Sequence, residues 1–241
     1  MFLSWLDSRE WTKYVAQVRA RHLRRRRSKR VHRPALVHDV ASDLSVHYEG
    51  FVGYHGCRPR DVASYYREGL RCHDDRTLEE CRATVREITG LPSEEVEAAI
   101  RAIDRRHDAG CAYLTLDPRE LLQCSSHYLI YGSEFTMAVL TELTRRGRPN
   151  WQYRLRERGR PTLLRCHIPF RLVEERYIRE IAESLVAECL HLRWRVVSDA
   201  PSRDHGVILH QNVPRRCVVG HDHPERLPDW HDGGRVYTFA P

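Results

Sequence analysis

Glu49-Gly50-Phe51-Val52-Gly53-Tyr54-His55-Gly56-Cys57 is the run that decides the fold. It is apolar and punctuated by glycine, and it reads as a β-strand that ends at His55-Gly56. Arg58-Pro59-Arg60-Asp61 then opens a helix, with Pro59 suited to a first turn where no N–H partner is needed. That helix carries Val62, Tyr65 and Tyr66 and stops at Gly69, a residue that tolerates the backbone of a helix end.

Downstream, two charged helices are expected from about Arg76 to Ile88 and from Ser93 to about Arg106, broken at Thr89-Gly90-Leu91-Pro92. They read as an insertion, about 74–108. Cys111-Ala112-Tyr113-Leu114-Thr115-Leu116-Asp117 alternates and predicts a strand. Pro118 opens one helix through about Leu143, weakened at Gly132, and Arg145 to Arg160 is a basic loop. Pro161 to Pro169 is a strand, and helical periodicity returns from Tyr177 to Leu192. Trp194–Val197, Gly206–His210 and Arg216–Val219 are strand-like, and the tail, rich in His, Asp, Pro and Gly, reads as irregular.

Upstream, Trp11, Tyr14, Val15 and Val18 fall at helical spacing within Ser4 to about Arg27. That helix runs into Arg24-Arg25-Arg26-Arg27-Ser28-Lys29-Arg30. Residues 31–46, with Pro34, read as a linker. The division is therefore a basic helical arm and linker over 1–45 and one α+β domain over 46–241. The basic run is either a solvated arm or a phosphate-contacting one; charge without a groove-reading motif supports only sequence-blind nucleic-acid binding.

Composition narrows the classes. Across 241 residues the formal net charge is +7, which favours polyanionic partners. Only Lys13 and Lys29 among the 40 basic residues are lysine, a skew that points to GC-rich coding and so to a bacterium or its phage. No apolar run approaches the roughly 20 residues of a bilayer crossing, and no secretory leader is visible, so the expected location is cytoplasmic and no membrane partner is expected. None of the eight cysteines forms a CxxC pair, and most read as small buried hydrophobes. GxGxxG and P-loop motifs are absent, which disfavours a dinucleotide Rossmann domain.

Four blocks stand in a distinctive order: Tyr54-His55-Gly56-Cys57, then Ala112 to Asp117, then Gly159-Arg160-Pro161-Thr162, then Asp204-His205-Gly206-Val207-Ile208-Leu209 with Val213-Pro214. This order resembles the ADP-ribosyltransferase-like superfamily, and within it the RNA 2'-phosphotransferase branch. The resemblance covers roughly 50–73, 110–131 and 158–220. It implies a split β-sheet core, NAD as substrate, and transfer to a nucleic acid or protein acceptor, an activity suited to a bacterial toxin or defence effector. Cys57 departs from it, standing where the family prefers a small hydroxyl.

The chemistry fits those residue types. Breaking a nicotinamide–ribose bond passes through an oxocarbenium-like state, so ribose, carboxamide and acceptor must be held in register. His55 is the candidate for a ribose hydroxyl and Gly56, with Cys57 beside it, for the carboxamide. Tyr113 and Tyr128 are either half-buried packing or flat faces for the ring. Glu134 and Asp204 are the candidate carboxylates for the developing positive charge. A second cluster, His210, Cys217, His221, Asp222, His223 and His231, has ligand chemistry but no standard zinc spacing. Two other function classes therefore stand beside the transferase: a non-catalytic nucleic-acid-binding protein, and a metal-dependent hydrolase using those histidines.

Overall fold

A computed structural model describes residues 1–4, 13–14, 16–17, 20, 33–103, 110–194 and 206–240, without the side chains of 33 and 188–194. Most of the expected helix of the arm, the Arg24–Arg30 run, Asp204, His205 and most of the strand expected at Trp194–Val197 lie outside the described residues.

The strands are β1 (Phe2–Leu3), β2 (Gly50–Cys57), β3 (Ala112–Thr115), β4 (Thr162–Pro169), β5 (Gly206–Leu209) and β6 (Val218–Asp222). They form one sheet in the order β5-β3-β2-β4-β6, with β1 paired in parallel to the start of β2. A separate antiparallel hairpin joins β7 (Arg226–Asp229) to β8 (Arg235–Thr238). The described helices are α1 (Arg33–His47), α2 (Ala63–Glu68), α3 (Asp75–Thr89), α4 (Ser93–Ala102), α5 (His127–Ile130), α6 (Glu134–Arg145) and α7 (Glu175–Trp194). The chain is thus α+β, as expected, and no helix among the described residues is long and apolar enough to cross a membrane.

The chain divides into two compact units. The first holds Met1–Gly53, Thr115–Asp117 and His167–Val207. In it α1 packs along α7. Leu36, Val37, Val40 and Leu44 of α1 are buried, as are Ile181, Ala182, Leu185 and Val186 of α7. This corrects the reading of 31–46 as a linker. Those four residues fall on one helical face, and Pro34 sits in the first turn, where proline is tolerated. Gly50 is required by close packing: a Cβ there would lie 1.9 Å from the carbonyl oxygen of Ile168.

The second unit holds Tyr54–Leu114, Pro118–Cys166 and Ile208–Pro241. Its charged helices α3 and α4 are present close to the expected bounds. Asp74 caps α3 in a reciprocal box with Thr77, and Gly90 ends it at φ 68°. Both helices pack on α6. There Val85, Ala99, Val139 and Leu140 are fully buried, each of the larger side chains contributing about 1.5–3 kcal/mol.

Three further expectations are corrected in this unit. The single helix from Pro118 to Leu143 is three pieces: a π-turn segment at Glu120–Cys124, then α5, then α6. Gly132 at φ 87° breaks it, and Ser133 caps α6 by accepting from the Thr136 N–H. The tail is not irregular, because β7 and β8 are joined through Gly233 and Gly234, both at positive φ. Β-structure at 216–219 begins only at Val218; Arg215–Cys217 is a 3-10 turn.

Candidate functional site

His55 is the one residue of β2 that is not fully buried. Its Nδ1 lies 2.8 Å from the carbonyl oxygen of Tyr113 on β3. A carbonyl only accepts, so Nδ1 carries the hydrogen and Nε2 carries the lone pair. Burial lowers the imidazole pKa below its ordinary 6.5; His73 lowers it further, against the Tyr113 bond, which raises it. The ring is therefore neutral at pH 7 in one defined tautomer. No hydrogen-bond partner for Nε2 is found among the described residues. Tyr113 itself is exposed at 37%.

Gly56 faces the other way, since successive strand residues address opposite faces. A Cβ at Gly56 would meet the Cδ2 of Leu121 and the Cβ of Tyr128, each at 3.2 Å. The glycine is what lets the π-turn segment and α5 close on the strand. Tyr128 is anchored there: its hydroxyl donates to Glu134 Oε2 at 2.6 Å, and its ring lies 4.2 Å from that of His127. Glu134 begins α6, where a carboxylate is favoured by the exposed N–H groups. The structure thus brings His55 together with Tyr113, and Gly56 together with Tyr128 and Glu134. Tyr128 meets Gly56 on the face of β2 opposite the His55 side chain.

Cys57 is buried, with Sγ 3.5 Å from the Thr162 carbonyl and a hydrogen bond to Tyr65. Burial pushes its thiol up to about 12, against a smaller opposing effect of Tyr65. It is a packed, hydrogen-bonded thiol.

Among the described residues no three His, Cys, Asp or Glu side chains could together hold a metal ion. The C-terminal histidines are engaged by other groups, and the rings of His221 and His223 lie 4.9 Å apart. His221 meets the Tyr66 hydroxyl at 2.7 Å, His223 the Pro161 carbonyl at 2.9 Å, and His231 stacks edge-on to His127 at 4.8 Å.

The structure adds residues that sequence reasoning missed. Tyr131 donates to the fully buried carboxylate of Asp229, which also accepts from the His231 N–H at 3.0 Å. Arg58 donates to the carbonyls of Arg158 (2.8 Å), Leu129 (3.3 Å) and Arg156. Burial first, then the neighbouring Arg156, lowers its pKa to about 10. Arg156 lies over the Tyr237 ring at 4.2 Å. These contacts fasten the β7–β8 hairpin to α5. The alternation Val236-Tyr237-Thr238-Phe239 is a signal for strand β8, but the partners of these contacts lie about a hundred residues away in sequence.

No family model matches this chain, and no match to a curated protein or a solved structure was found. The functional reading therefore rests on the residues themselves.

Proposed function

We propose that the protein is an NAD-consuming transferase of the ADP-ribosyltransferase type. The observation that carries the reading is the His55 imidazole, pinned through Nδ1, with no partner for its Nε2 acceptor among the described residues. In this reading Nε2 accepts the hydrogen of a hydroxyl on the nicotinamide-bearing ribose. A neutral ring suits that role twice. It has a lone pair to offer, and it places no positive charge beside a sugar that becomes cationic. Tyr113, whose main chain holds His55 and whose side chain is exposed, supplies in this reading the aromatic contact for the ring of the leaving group.

The reaction balances simply. The nicotinamide–ribose bond breaks with its electron pair passing to nicotinamide. A lone pair of the acceptor forms the new bond at the same carbon, and the acceptor loses a proton to solvent or base. Tyr128 and Glu134, on the opposite face of β2, serve to hold α5 against α6 in this reading. The catalytic carboxylate is then sought in Asp204.

Net charge +7 and the run Arg24–Arg30 favour a nucleic acid as acceptor over a protein. The same charge supports a second reading, a non-catalytic nucleic-acid-binding protein. A bacterial, cytoplasmic setting, as for a defence effector, belongs to the proposal. The test is incubation with NAD labelled in the adenylate half, with RNA, DNA and protein acceptors in parallel. Label moves to an acceptor with the wild-type chain and not with His55→Ala if the reading holds. Salt-sensitive binding of nucleic acid without any label transfer favours the second reading.

A further inference from the structure

We propose that Cys111 is a nucleophilic thiol activated by His210, and a site of covalent modification by small uncharged electrophiles. Its Sγ lies 3.3 Å from His210 Nδ1, within reach of an S–H···N hydrogen bond. The pair joins the residue before β3 to the residue after β5. Cys111 is buried, whereas His210 is exposed and can pass a proton to water.

Two other buried thiols are held differently. Cys57 and Cys72 give their hydrogens to the carbonyls of Thr162 and Leu209. A carbonyl accepts a hydrogen bond but cannot take the proton away. Burial accordingly raises Cys57 and Cys166 to about 12, and Cys72 to about 11. An imidazole has an ordinary pKa close enough to that of a thiol to take the proton, and the resulting ion pair is neutral overall. That neutrality lets a thiolate exist in a site that excludes water.

The step is a substitution. The thiol proton moves from Sγ to Nδ1, and the sulfur pair forms an S–C bond at the electrophilic carbon. With a haloacetamide the carbon–halogen bond breaks, halide leaves with its electron pair, and the imidazolium later releases its proton to water. Burial of Cys111 selects for small and uncharged reagents, so iodoacetamide reacts in preference to iodoacetate. The site is independent of the NAD reading, because neither residue belongs to the His55 and Tyr113 group.

The experiment alkylates the full chain with iodoacetamide at neutral pH and follows each cysteine by peptide mass spectrometry. Cys111 is expected to label roughly tenfold faster than the buried Cys57, Cys72 and Cys166, in keeping with thiolate control of reactivity. His210→Ala is expected to slow Cys111 by a similar factor, with exposed Cys124 unchanged and added imidazole restoring the Cys111 rate. Labelling of Cys111 no faster than Cys166 in the wild-type chain overturns the proposal. So does an unchanged Cys111 rate in both His210→Ala and His210→Gln. If His210→Ala loosens the fold, Cys57 and Cys166 label with it. His210→Gln then decides, a slower Cys111 with Cys166 still protected supporting the proposal and an unchanged rate overturning it.

Discussion

The imidazole of His55 and the backbone carbonyl of Tyr113 meet at 2.8 Å, so a side chain of one strand takes its tautomer from the main chain of the next. A main-chain acceptor cannot be removed by mutating the Tyr113 side chain. The Tyr113→Ala variant should therefore keep the His55 tautomer while losing the aromatic contact. Long-range nitrogen NMR of the His55 ring checks this: Nδ1 protonated and Nε2 unprotonated at pH 7 in both proteins. A reversed tautomer in the wild-type chain removes the proposed acceptor.

The lowered pKa of His55 gives a pH dependence with a definite sign. The unfolded chain takes up the proton near the ordinary 6.5, and the folded chain only at lower pH. Between those values the unfolded state binds more protons, so stability falls as pH drops through this window and levels off below the folded pKa. Above 6.5 the contribution is fully present. Urea melts of wild type and His55→Gln at pH 7.5 and 5.5 measure it. The wild type should lose more stability than the variant over that interval.

Gly56→Ala should destabilise by about 1–3 kcal/mol, the usual cost of overpacking a close contact. The added methyl would press on Leu121 and Tyr128, each 3.2 Å from it. Thermal denaturation gives the number. A neutral result means that the π-turn segment and α5 do not close on the strand as described.

The carboxylate of Asp229 is fully buried and holds the Tyr131 hydroxyl and the His231 N–H. Tyr131→Phe should cost about 1–3 kcal/mol, the penalty for leaving a buried acceptor short of a donor. The loss should appear together with faster amide exchange in β7 and β8. Loss of stability without change in the hairpin would place the pair's role elsewhere.

Much of the second unit was legible in the sequence. Strand β2 announces itself by glycine spacing, and α3 and α4 by their break at Gly90 and Pro92. The π-turn, α5 and α6 were not separable, because the apolar period continues through Gly132 and only the backbone angle there breaks the helix. Helix α1 was hidden by Pro34 and by the polar residues between its buried Leu36, Val40 and Leu44. Its partner α7 lies more than a hundred residues away, so the sequence does not show what its apolar face packs against. The hairpin β7–β8 was hidden for the same reason, since Asp229 finds Tyr131 across 98 positions. Of the candidate site, the contact of His55 with the Tyr113 main chain comes from the pairing of β2 with β3, which sequence spacing does not encode. The placement of Tyr128 with Gly56 on the other face follows from a contact that sequence spacing does not encode.

Leu44→Ala tests α1 as a core element. The side chain is fully buried, and truncation should cost about 2–5 kcal/mol in an equilibrium melt. A cost near zero would return residues 31–46 to the status of a linker.

NAD is expected to engage His55. Calorimetric titration of NAD into the wild-type chain and into His55→Ala is the direct measurement. Saturable one-to-one binding by the wild type, weakened roughly tenfold or more in His55→Ala by the lost hydrogen bond to a ribose hydroxyl, is the expected result. No heat of binding in the wild-type chain, or equal affinity in the two, contradicts it.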